Sequence, residues 1–433
     1  MPPKNITPSE TTLPIISRGP EPPGHLAEFL KFVCPPTFGG GPLDPQPATR
    51  FVARKLDAKI DIPLPPSAAA VTRTGRDRAR AWIIEDPEAE SNEERRTFPS
   101  PIIRTVEGDI VHADVSFSFN THTIHWHGVE PTPMNDGVGH TSFEATSSFI
   151  YQFATNTAGT YFYHCHKNTV LHFEMGLYGD FVVDPPNPGT RPDIGPAPYP
   201  TGGPGFVRAF VPGFPGFLPE ANLVPYDVEA LWVPDEFDSV WHELGHDAFM
   251  QDCDQNDPND PDNFTQDGIL NDFIPDIFFI TGIFPEVVAG NLNNLPIITA
   301  AITPDTVTPT GPPASVVAPT VRVGQTLLVR LQNAGYTTQE YALELDALAI
   351  ATDGRPFGIP GTENQYSAPF SIPANTPFRL TTARRLDLLI RPTVAGTFLF
   401  TSKHLDWQKS KSPSQPNQAL VWGITQTTIT VIP

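Results

Sequence analysis

Between Asn120 and Gly179 the chain reads THTIHWHGVE near its start and GTYFYHCHKNTVLHFEMGLYG at its end. In an extended strand alternate side chains share a face, so His125 and His127 point the same way, about 7 Å apart along the strand. His164 and His166 do likewise, and Cys165 between them points to the opposite face. A lone His-x-His pair is commonly a surface coincidence, and a lone buried cysteine is commonly inert packing. Two such pairs, one enclosing a cysteine and both inside strand patterns, form a copper-site pattern that can hold metal on both sides of one strand. The cysteine side needs two more histidines to complete a His₂Cys trigonal site. His122, three residues before His125, and His172, seven after Cys165, are the candidates.

The remainder of the chain supports strands. With 52 prolines, 32 glycines and only 17% charged residues in 433, long helices are disfavoured and many short strands joined by turns are expected. The expected fold is all-β, two Greek-key sandwiches preceded by an N-terminal arm. Residues 1–47 read as that arm. Residues 48–186 read as the metal-binding sandwich, with strands in FVARKLDAKIDIP, IIRTVEGDIVHADVSF, HTIHWHGV, SSFIYQF, GTYFYHCH and YGDFVVD, and with Arg73 to Arg96 as a charged insertion. Residues 187–225 are a Pro/Gly-rich linker, and residues 226–433 a second sandwich. The pattern repeats internally: VEGDIVHADV lies over VGQTLLVRLQ, and AGTYFYHCH over AGTFLFTSK. In the second copy Thr401, Ser402 and Lys403 hold the positions of His164, Cys165 and His166, so the second domain is expected to have the fold without the copper.

The formal net charge of −21 makes nucleic acid and anionic membranes poor partners and suits a neutral or cationic reductant, or a metal ion. No apolar run of bilayer length and no basic-then-apolar leader is found, so a soluble chain is expected, cytoplasmic or, after removal of an export signal, secreted or periplasmic. Cys34, Cys165 and Cys253 make no disulfide framework, although Cys34 and Cys253 are free to pair. Asn5 and Asn263 open glycosylation triplets of low specificity.

These motifs, HxxHxHG at His122 to Gly128, HCH at His164 to His166 and HFEMGL at His172 to Leu177, resemble those of multicopper oxidases of the laccase and copper nitrite reductase superfamily, over roughly Arg50 to the C-terminus. The resemblance implies type 1 copper at His122, Cys165 and His172, a type 2 ligand at His125, and type 3 ligands at His127, His164 and His166. It implies Leu177 at the axial position of the type 1 copper, with Met175 as the alternative; a leucine cannot coordinate, which leaves a three-coordinate copper of relatively high potential. It also implies that Asp136 assists proton delivery, a turn residue before Gly137 being the plainer reading. The implied activity is electron uptake from a small-molecule or metal-ion reductant and reduction of O2 to water.

The resemblance is incomplete. A trinuclear cluster resembles eight histidines from two facing domains, whereas here the first domain supplies four and YALELDALAI in the second carries Glu344 and Asp346 instead. Another subunit is therefore expected to complete the cluster: a dimer of facing first domains, or a head-to-tail trimer offering His404, His242 or His246. Copper nitrite reductase is an alternative, disfavoured because its catalytic aspartate falls where His125 stands. A blue-copper electron carrier or copper-binding protein is another. A zinc hydrolase at His242-Glu243-Leu244-Gly245-His246 is a third, with no long helix foreseen to carry it. The acidic loop at 252–262 resembles a calcium loop that lacks its central glycine and closing glutamate.

Overall fold

The computed structural model describes residues 49–87, 96–117, 122–138, 148–186, 204–247, 273–291, 296–412 and 415–433. The arm at 1–47, Cys34, Cys253, both glycosylation triplets and the acidic loop at 252–262 lie outside the described residues, as does the side chain of His246.

The first half is built from eight strands: β1 (Thr49–Pro63), β2 (Arg78–Glu85), β3 (Ser100–Val106), β4 (Ile110–Phe117), β5 (Ile124–His127), β6 (Ser148–Ala154), β7 (Gly159–Cys165) and β8 (Tyr178–Asp184). They form two four-stranded sheets, in the orders β2-β1-β4-β6 and β3-β8-β7-β5. Parallel pairing of β1 with β4 and of β3 with β8 carries the chain from sheet to sheet in the manner of a Greek key. The inward faces meet in a core of Val111, Val115, Trp126, Tyr151, Tyr163 and Phe181. Trp126 is fully buried with the ring of Phe153 tilted against it at 4.8 Å, and burying such a side chain contributes roughly 1.5–3 kcal/mol.

One part of the charged insertion expected at 73–96 is a strand. In β2, Ala79, Ala81 and Ile83 are buried, while Arg80 lies on the other side and pairs with Asp61 and Glu243. Its register against β1 runs from Lys55 with Glu85 to Pro63 with Arg78, which satisfies a β1 edge that would otherwise face water.

The second half holds a six-stranded and a seven-stranded sheet around its own core. The internal repeat is visible in the pairing. Leu327–Gln332, like β4, runs parallel to the first strand of its half, here Val228–Trp232. Gly396–Ser412, like β7, lies antiparallel between two partners, Thr338–Leu343 and Gln415–Ile432. Within 187–225, Gly205–Arg208 and Leu223–Tyr226 pair as a hairpin, and Val207, Val224 and Tyr226 pack on Leu328, Ile350 and Leu389. No helix among the described residues is long and apolar enough to cross a membrane.

The two halves are joined face to face. Phe162, Phe173 and Tyr178 from the first share an apolar cluster with Leu231, Val233, Phe237 and Phe279 from the second. Beside it a buried ionic network spans the junction: Arg104 contacts Asp184 at 2.6 Å and Glu229 at 2.7 Å, and Arg330 contacts Glu229 at 2.5 Å and Thr160 at 2.9 Å. Two cations on one carboxylate hold Glu229 down at about 2 despite its burial.

Candidate metal centre

β7 decides the site. Its antiparallel register on β5 sets Cys165 opposite Ile124, His164 opposite His125 and Phe162 opposite His127. Residues directly opposite share a face. Cys165, Tyr163, Ile124 and Trp126 therefore point into the core of the first sandwich, whereas His125, His127, His164 and Phe162 point toward the second.

On the core side, Cys165 Sγ lies 3.4 Å from His122 Nδ1 and 3.1 Å from His172 Nδ1. His122 enters just before β5. His172 stands on a short helix, α1 (Thr169–Glu174). The three donors converge within 4.8 Å of one another and all three residues are buried. Burial pushes His172 down to about 3, helped by the neighbouring His122, so its imidazole is neutral at pH 7 and offers a lone pair. Two imidazoles and a thiol converging in a buried pocket fit the trigonal donor set of a blue-copper centre. Leu177, whose carbonyl accepts from Cys165 N at 3.0 Å, is the neighbour of Cys165 across the β7–β8 ladder. Met175 caps α1, and its thioether lies against Gly245 of a second helix, α2 (Ser239–Asp247).

On the other face, donor atoms of His125, His127 and His164 also fall within 4.8 Å of one another. His125 Nδ1–H donates to the Asp136 carbonyl at 2.7 Å, with the Asp136 carboxylate at 3.4 Å. His164 Nδ1–H donates to the Cys165 carbonyl at 2.9 Å. Each bond fixes a tautomer and leaves Nε2 as the lone-pair nitrogen facing its neighbours. Desolvation holds His164 at about 3 and lowers His125 and His127, the charge of Arg385 adding to the effect at all three. Three neutral imidazoles with converging lone pairs fit a second metal. His166 lies outside this trio, its ring 5.3 Å from His125 and 5.7 Å from His164.

Asp136 follows a 3₁₀ turn, Pro133–Asn135, pinned to the site by Gly137. Gly137 has φ +74°, and a Cβ there would strike the Ile124 carbonyl, so only glycine lets the loop lie this close to β5.

The histidine face opens into a cleft of about 590 Å³ between the halves. His125, His127 and Asp136 line one wall, and Asp353, Arg355, Arg384 and Arg385 the other. Arg385 is the residue that sequence reasoning missed: TTARRLDLLI reads as an ordinary strand start, and only the docking of the halves brings its guanidinium over Phe162, 5.2 Å from the ring.

Two expected contributors are committed elsewhere. His404 is fully buried with Nδ1 2.6 Å from Glu236, and His242 is buried with Nε2 3.4 Å from Glu174. Neither is available to a neighbouring chain. The HELGH segment lies on the nine-residue helix α2. Its Glu243, however, pairs with Arg76 and Arg80, and its His242 Nδ1 is bonded to the Arg80 carbonyl, so the pair is used in packing α2 on β2.

Stacked sandwiches of the cupredoxin kind, with His₂Cys donors on one face of a strand and histidines on the other, offer donor sets that fit copper. Residues 86–188 match the family model described as multicopper oxidase. The chain is 38% identical over 102 residues to an L-ascorbate oxidase of Cucumis sativus, covering 22% of this chain and 17% of that protein. It is 43% identical over 95 residues to the multicopper oxidase MCE of Talaromyces pinophilus, covering 20% and 15%. The alignments thus span under a fifth of the length of these relatives. The structure is similar in fold to a blue copper oxidase from Nitrosomonas europaea, with TM-score 0.50, 18% identity, and coverage of 88% of this chain and 86% of that one. Residues 86–188 are thus similar to a domain of multicopper oxidases.

Proposed function

We propose that this chain is a copper-dependent oxidoreductase that takes electrons from a small-molecule or metal-ion reductant at Cys165 and passes them to O2 at the histidine face. The observation that supports it most is the back-to-back arrangement on β7, in which Cys165 is bonded through the backbone to His164 and His166 on the opposite face. Copper in the two donor sets would supply one-electron chemistry at each end of that short covalent path. His122, Cys165 and His172 would hold type 1 copper. Leu177, which pairs with Cys165 through the backbone, would be the residue beside such a copper in preference to Met175, and since it cannot coordinate it would go with a high potential. His125 would serve type 2 copper, and His127, His164 and His166 type 3.

The chain's own groups prepare this chemistry. Hydrogen bonds from Nδ1 orient His125 and His164. The apolar walls of Trp126, Leu171 and Leu177 keep water from Cys165. Asp136, at the mouth of the cleft and beside His125, is placed to hold and hand on protons, which oxygen reduction consumes.

The second sandwich offers arginine and aspartate to the cleft, not imidazole. The outstanding ligands of a full cluster are therefore assigned to another copy of the chain reaching in by the open side of the cleft. The burial of His242 and His404 favours a partner's first domain over these two as the source. Oxygen uptake and nitrite consumption, measured on copper-loaded protein with a phenol or ferrous iron as reductant, test the reading: oxygen uptake is expected, and turnover of nitrite alone would replace it with the nitrite reductase alternative.

A further inference from the structure

At the inner end of the cleft Arg385 is 2% exposed, yet its guanidinium is only partly used. Nε donates to the Thr160 carbonyl at 3.4 Å and Nη1 to the Ala383 carbonyl at 2.5 Å, with Asp353 at 3.6 Å from Nη1. Nη2 is buried and makes no hydrogen bond. This nitrogen sits against Gly128, the residue after His127, so closely that a Cβ on Gly128 would collide with it. Gly128 has φ +83°, which favours glycine for a second reason. An unpartnered cationic N–H is costly when buried, and a partner with negative charge repays it.

The other charges of the cleft are largely spoken for. Arg384 pairs with Asp353 at 2.9 Å, while Arg355 contacts Glu363 and the Tyr161 hydroxyl. Glu130 and Asp136 stand on the opposite wall, toward the open side. Negative charge at the rim and a free donor at the inner end favour a small ligand that fits beside the histidines over a bulky polyanion.

We propose that Arg385 Nη2 anchors a small inorganic anion bound at the metal of His125, His127 and His164, making this end of the cleft an anion subsite. The inference rests on the copper reading of those three histidines. The second sandwich then has a role at the site although it lends no imidazole: it selects anionic over neutral ligands of that metal.

The test is equilibrium titration of copper-loaded protein with azide, and separately with imidazole at pH 8 as a neutral ligand, following the ligand-to-copper absorption and the paramagnetic resonance. Loss of a charge-assisted hydrogen bond should weaken azide about 10- to 100-fold in Arg385→Met and leave imidazole within about twofold. The blue colour from Cys165, on the far face of β7, reports that the variant is folded. If the methionine variant does not fold, Arg385→Lys carries the test, with a several-fold loss for azide alone. Unchanged azide affinity, or equal weakening of both ligands, overturns the subsite. Wild-type protein that gives no resonance from copper at the histidine face contradicts the copper reading itself, and the subsite with it.

Discussion

Asp180 lies in β8 opposite Phe162, with Oδ1 buried and without a hydrogen bond. Burial pushes its carboxyl up from 3.8 to about 7, against the pull of Arg330. Between those values the unfolded chain binds fewer protons than the folded one, so this group's contribution to stability falls as pH rises from about 4 to 7 and stays low above. Asp180→Asn should therefore be more stable than wild type at pH 8 by about 2–4 kcal/mol and equal to it below pH 4, read by urea unfolding at both. Gly137→Ala tests the pinning of His125: the displaced loop should cost roughly 1–3 kcal/mol and weaken copper binding at the histidine face about tenfold, measured by resonance-monitored titration. Cys165→Ser should remove the blue colour while leaving the resonance of that face; retained colour would refute the ligand assignment.

The strand β7 was legible because its pattern is local: period-two alternation places Cys165 and His164 back to back whatever surrounds them. The two sandwiches were legible for the same reason. β2 was not, because Arg78 to Glu85 mixes arginine with alanine and its strand character comes from the neighbouring β1. Nor was α1 legible, a helix of a turn and a half set by packing more than by propensity. α2 was discounted in the sequence, yet it closes the cysteine side: Trp241 belongs to the cluster around Cys165 and meets Phe273 at 5.3 Å. Trp241→Ala should lose about 3–5 kcal/mol and shift the visible absorption, both measured on one sample through an unfolding series. Arg385 depends on the meeting of the two halves, a long-range event that alternation along one strand does not encode.

At the scale of the molecule, the junction fixes where the histidine face looks. Arg330 is 1% exposed, and removing it takes from the buried Glu229 one of its two cations and from Asp387 its nearby positive charge. Arg330→Ala should cost about 3–5 kcal/mol and split unfolding into two transitions, seen by calorimetry. The central claim is that one strand carries two kinds of copper site, the histidine one finished by a second copy. Copper content and paramagnetic resonance on size-resolved fractions, with oxygen uptake of each fraction, test it most directly. The account predicts type 1 and type 2 signals together, and oxygen uptake confined to the oligomer. A lone type 1 signal in fully loaded protein, with no oxygen uptake in any fraction, would contradict it.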